Sequence, residues 1–73
     1  MNVDKKPRFK ILRIKDVTEK VGIPISTLYW MIANSDFPKS IKLSERSVGW
    51  IESDIDNWIK KKIIEAENNG VIL

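Results

Sequence analysis

The sequence predicts a small domain, mainly α with one β-hairpin, and three observations carry that expectation. Residues 16–34 hold two short helical stripes joined across Gly22. Residues 41–51 hold two short β-prone runs split by turn-forming residues. From Ser53 onward, apolar residues repeat at helical spacing behind a cluster of acids. Two helices around a glycine turn, then a hairpin, then a closing helix make a winged helix-turn-helix.

The chain of 73 residues is expected to form one domain with a compact core, since a chain this short buries only about 60% of its unfolded surface. The apolar content is 42%, with three Trp and two Phe. Cysteine is absent, in keeping with a reducing compartment. No apolar run of membrane-spanning length and no signal-peptide pattern stand out, so the expectation is a cytoplasmic protein without a membrane partner. Net charge is +3 and unevenly spread. Residues 1–15 carry six basic groups against one acid, whereas residues 16–36 carry one base against three acids. Residues 37–50 carry three bases against Glu45, and residues 51–73 carry three lysines against five acids. A polyanion would meet the N-terminal segment and the hairpin region.

In chain order, residues 1–10 are polar and basic and read as a flexible arm. Lys5, Lys6, Arg8 and Lys10 either track phosphates or form a solvated tail. Ile11-Leu12-Arg13-Ile14 reads as a strand or an extended lead-in. The first helix starts near Lys15 or Asp16 and buries Ile14, Val17 and Val21, with Asp16 and Glu19 near its positive end. Gly22 supplies the sharp turn. Pro24 opens the second helix, where a missing N–H costs nothing. That helix sets Ile25, Leu28 and Ile32 on its inner stripe. Ser26 and Thr27 lie in its first turn, where hydroxyls and free N–H groups can meet a phosphate. It ends near Asn34, before Asp36-Phe37-Pro38.

The hairpin pairs Ile41-Lys42-Leu43 with Val48-Gly49-Trp50-Ile51 across Ser44, Glu45, Arg46 and Ser47, which puts Arg46 at the tip of the wing. Alternation sets Ile41 and Leu43 on one face, with Val48 and Trp50 on the core face opposite them. Ser53 with Asp56 forms the capping pattern of the last helix, and Ile55, Trp58, Ile59 and Ile63 repeat along it. Lysines 60–62 read as a solvated face, and Asn69-Gly70 as its stop. The domain proper is expected over residues 11–69. The apolar tail 70–73 either folds back onto the core or joins another subunit.

Chemistry of the catalytic kind finds no support. Without His or Cys the usual triads and zinc sites are missing, and the three glycines are too scattered for a phosphate loop. Asp54 and Asp56 diverge on a helix and do not make a paired-carboxylate site. No enzyme activity, metal, cofactor or small-molecule ligand is expected.

Four segments together resemble one family. They are Ile11 to Val17 (ILRIKDV), Gly22 to Tyr29 (GIPISTLY), Phe37 to Leu43 (FPKSIKL) and Val48 to Ile59 (VGWIESDIDNWI). The chain over about residues 10–62 is similar to the AlpA family of small phage and genomic-island regulators. The resemblance implies a winged helix-turn-helix of the MerR and excisionase type. It also implies double-stranded DNA as partner, at promoters or attachment sites, and control of integrase or excision genes. Carried over by residue, it puts Ser26, Thr27 and Tyr29 on the recognition helix, Lys39 and Lys42 on the strand after Phe-Pro, and Arg46 on the wing. The chain departs from the family at Ile25 and Trp30, where basic residues are common. Tyr29 either bonds a phosphate or packs at the helix edge. Trp30 either touches thymine methyls, packs under the wing or anchors a protein partner. Trp50 and Trp58 read as core.

The function expected is a sequence-specific transcriptional regulator of a prophage or genomic island, nucleoid-associated when bound and self-associating on DNA. RNA polymerase or a recombinase is a further candidate partner. An excisionase-like architectural protein that bends attachment-site DNA is the alternative. A protein-binding adaptor with weak DNA affinity is a third reading.

Overall fold

The computed structural model describes residues 9–69, so the arm residues Lys5, Lys6 and Arg8 and the tail 70–73 lie outside the described residues. The elements run β1 (Ile11–Leu12), α1 (Ile14–Val21), α2 (Ile25–Ala33), β2 (Ile41–Ser44), β3 (Ser47–Ile51) and α3 (Glu52–Asn69). Helices dominate and the strands form one antiparallel sheet in the order β1-β3-β2, the winged helix-turn-helix arrangement. No helix among the described residues is long and apolar enough to cross a membrane.

The lead-in is shorter than the run Ile11-Leu12-Arg13-Ile14 suggested. Ile11 and Leu12 pair with Ile51 and Trp50, and the helix then begins at Ile14. The cause is local: the Asp16 carboxylate accepts the Arg13 backbone N–H at 3.0 Å, which fixes Arg13 as the residue before the first turn. Gly22 closes α1 in the left-handed region (φ 72°), and its N–H donates to the Thr18 carbonyl at 2.8 Å. Pro24 stands just outside α2 in extended geometry, and Ile25 begins the helix.

The end of α2 is a Schellman turn. The Ser35 N–H donates to Ile32 and the Asp36 N–H to Met31, with Ser35 at φ 61° in the position glycine usually takes. The following loop is pinned by two indoles: the Trp50 Nε1 N–H donates to the Pro38 carbonyl and that of Trp58 to the Asp36 carbonyl, each at 3.0 Å. Phe37, between Asp36 and Pro38 in sequence, is buried and meets the Trp58 ring edge-on, with centroids 4.8 Å apart.

The core is Leu12, Val17, Leu28, Phe37, Trp50 and Ile55, with Ile14, Val21, Ile23, Met31, Ile32, Trp58 and Ile59 packed around it. Several sequence expectations change here. Ile25, expected on the inner stripe, is 47% exposed, whereas Ile23 in the turn packs against the core. Ile41, Leu43 and Val48 are all exposed: among the described residues no layer covers β2, and only the half of the sheet near β1 and β3 lies on the core. Ser44 and Ser47 pair rather than turn, so the hairpin loop shrinks to Glu45 and Arg46, with a register shift between Lys42 and Ser44. The last helix starts at Glu52, directly out of β3, so Ser53 lies inside it rather than capping it. The Glu52 N–H is satisfied by the Lys10 carbonyl at 2.8 Å. Ile63 lies past the packed part of α3 and is exposed.

Candidate nucleic-acid interface

Helix α2 turns Leu28, Met31 and Ile32 inward, which leaves Ser26, Tyr29, Trp30 and Ala33 on the opposite face. That outer face is open: Tyr29 is 54% and Trp30 62% exposed. The helix carries no charged side chain, so its contribution to recognition rests on hydroxyls, aromatic surface and backbone. Its first turn, with Ser26 and Thr27, has no side-chain cap, so its leading N–H groups stay available to an acceptor from outside. Trp30 does not pack under the wing; it stands in solvent, and its carbonyl accepts the Asn34 side-chain amide at 2.7 Å.

The basic residues sit on separate supports. Lys39, expected on the strand with Lys42, instead lies in the loop after the pinned Pro38, because β2 begins only at Ile41, and it is exposed. Lys42 lies on β2 opposite Val48, and Arg46 occupies the two-residue tip of the hairpin; both are exposed. Among the described residues no ion pair engages Lys39, Lys42 or Arg46, so their charge is not spent inside the fold. Lys10 is exposed next to β1, with its carbonyl tied to α3. The structure thus gathers Ser26, Thr27, Tyr29 and Trp30 on one helix, and Lys42 and Arg46 on one hairpin.

The one base between residues 16 and 36 has a different role. The Lys20 Nζ lies 3.3 Å from Glu52 and 2.9 Å from Asp56, joining α1 to α3. The hydrogen bond to Asp56, then that to Glu52, raises the Lys20 pKa above its ordinary value. Sequence reasoning missed this pairing. The available signal was the four-residue spacing of Glu52 and Asp56, which puts both carboxylates on one helical face. Lysines 60–62 are all exposed, and within that face Lys62 stands 5.6 Å over the Trp58 ring and 3.5 Å from Glu65.

The family model described as "Prophage CP4-57 regulatory protein (AlpA)" matches residues 10–63, which takes in the strands, the turn, α2, the wing and most of α3. The chain belongs to the AlpA family. This AlpA-family chain is 39% identical over 59 residues to the DNA-binding transcriptional activator AlpA of Escherichia coli (strain K12), covering 73% of this chain and 84% of that protein. It is 30% identical over 54 residues to the uncharacterized protein ORF88 of Enterobacteria phage P4. That match covers 74% of this chain and 61% of the phage protein, so the chain spans under two thirds of that relative. Among solved structures, none matches the chain significantly.

Proposed function

We propose that this AlpA-family protein is a sequence-specific DNA-binding transcriptional regulator of a prophage or genomic island, acting on integrase or excision genes. The observation that carries the reading is its 39% identity to a DNA-binding transcriptional activator across most of both chains, combined with an α2 whose outer face is uncovered. In this reading α2 enters the major groove. Ser26, Thr27 and Tyr29 offer hydroxyls to phosphates or base edges, and Trp30 offers apolar surface to thymine methyls. Lys39, Lys42 and Arg46 neutralise phosphates, and the arm residues Lys5, Lys6, Arg8 and Lys10 add affinity that does not depend on sequence. The uncharged helix sets register and shape, while the wing and arm supply most of the electrostatic grip.

A domain this small covers a short site, so specific affinity calls for two or more copies on repeated half-sites. RNA polymerase or a recombinase would then be met from DNA, in the cytoplasm and on the nucleoid. The test is a mobility-shift titration across a salt series, using DNA upstream of a neighbouring integrase gene. Arg46→Ala and Lys42→Ala should each weaken binding alike on all sequences and lower the salt slope by about one unit. Trp30→Ala should change sequence preference instead. A folded protein that binds no DNA even at low salt would sink the reading.

A further inference from the structure

Only the first half of α3 is held by the rest of the fold. Ile55 is fully buried and Trp58 and Ile59 pack against the core, whereas from Lys60 to Asn69 every residue except Ala66 is exposed. This second half is about 15 Å long; one side of it, with Lys62, Ile63 and Ala66, borders a shallow groove against Val21 and Ile23, and its far side faces away from the domain. In its middle are Ile63 (51% exposed) and Ile64 (54% exposed), two adjacent β-branched residues with low intrinsic helix preference.

The charges around this pair are arranged with opposite signs on its two sides. Lysines 60–62 precede it, and Glu65 and Glu67 follow it. On a helical wheel Lys60, Ile63, Ile64 and Glu67 fall within an arc of about 100°, so they form one stripe. Lys60 and Glu67 are seven residues apart, about 10.5 Å along the axis, too far to pair within one helix. Among the described residues neither makes an ion pair, while Lys62 and Glu65, on the other side, pair with each other. A stripe with an apolar centre and opposite charges at equal distances from it is complementary to itself reversed.

We propose that this stripe is a self-association surface, on which two copies of the chain lay α3 against α3 in antiparallel fashion about a two-fold axis between Ile63 and Ile64. Ile63 of one copy then faces Ile64 of the other, and each Lys60 faces the other copy's Glu67. The parallel arrangement is excluded by charge, since it sets Lys60 against Lys60 and Glu67 against Glu67. The stripe is much smaller than the roughly 800 Å² per partner of a stable interface, so the association is weak in free solution. It becomes effective when DNA holds two copies at high local concentration. The inference gives a surface to the self-association proposed above, but its test requires no DNA, so failure of one reading is distinguishable from failure of the other.

The test is sedimentation equilibrium of the full chain without DNA, from micromolar to millimolar concentration. The wild type should show a reversible monomer–dimer equilibrium that weakens with salt. Lys60→Glu and Glu67→Lys should each place like charges across both ends and weaken self-association by about tenfold or more. An equimolar mixture of these two variants should recover it as a heterodimer, because both end contacts are then opposite in sign. Ile64→Glu should abolish it, with an unchanged circular dichroism spectrum, as the residue supports nothing in the core. A wild type that stays monomeric throughout, as it would if the chain's own tail covered the stripe, overturns the proposal. So do single variants that associate as the wild type does, or a mixture that gains nothing.

Discussion

Gly49 and Gly22 are both glycines for structural reasons, but the reasons differ and can be separated by substitution. A Cβ at Gly49 would come within 2.5 Å of Ile11 Cγ2 and 3.1 Å of both the Leu12 carbonyl oxygen and Leu43 Cδ1. Ile11 Cγ2 is a branch methyl held on a stiff β-branched side chain, and the Leu12 carbonyl belongs to the same strand paired with β3, so neither yields easily. At Gly22 a Cβ would meet nothing within 4 Å, yet φ is +72°. Gly49→Ala is expected to cost about 1–3 kcal/mol by overpacking. Gly22→Ala is expected to cost about 1–2 kcal/mol through the left-handed backbone alone. Thermal unfolding of Asn variants decides between the causes. Gly22→Asn should recover part of the loss, because asparagine tolerates that backbone, while Gly49→Asn should be worse than Gly49→Ala. The Gly22 turn was legible in the sequence, since the stripes on either side change phase there. The demand at Gly49 was not, because it depends on Ile11 and Leu12 arriving from β1, far back in the sequence.

At the scale of elements, what could be read in advance were the parts whose neighbours lie close in sequence. Val17, Leu28 and Ile55, the three residues of full burial, all sit on stripes visible as three- and four-residue spacings. The wing's existence was equally legible, but its loop was not, because the Ser44–Ser47 pairing is set by register against β3 rather than by the turn preference of serine. Ile25 misled for a related reason: periodicity shows which face it is on, not how far it is covered. The loop after α2 was read only as a place where the helix ends. Its order comes from the indole N–H groups of Trp50 and Trp58, 12 and 22 residues away from the carbonyls they hold. Trp58→Phe keeps a ring against Phe37 and removes the donor. It is expected to cost about 0.5–1.5 kcal/mol, seen as a lower urea midpoint with an unchanged m-value. Trp50→Phe removes the better-shielded bond and should cost more, about 1–3 kcal/mol. If the two variants match wild type, the loop carrying Lys39 is held by burial of Phe37 instead.

Across the whole molecule, the six core residues come from β1, α1, α2, the loop, β3 and α3, and none from β2. The strand that presents Lys42 is thus attached by its ladder to β3 and not by packing, which leaves the wing's outer strand and tip free of core constraints. The opposite edge is tied by the Glu52 N–H on the Lys10 carbonyl, and beside it α1 is joined to α3 by Lys20 reaching Glu52 and Asp56. This last link has a distinct signature in pH. The Lys20 pKa is raised in the folded chain, chiefly by the hydrogen bond to Asp56, so its stabilisation is fully present below the unfolded lysine value and disappears as pH rises through the folded one. The stability gap between wild type and Lys20→Met should therefore hold at neutral pH and close only above about pH 10.4. It should also narrow with salt, because all three side chains are partly open to solvent. Lys20→Arg keeps its charge at alkaline pH and should preserve the gap where lysine loses it. Chemical denaturation of the three proteins at neutral and alkaline pH makes the comparison. A gap that persists unchanged for lysine at high pH would mean that the alkyl stem of Lys20, not its charge, joins α1 to α3.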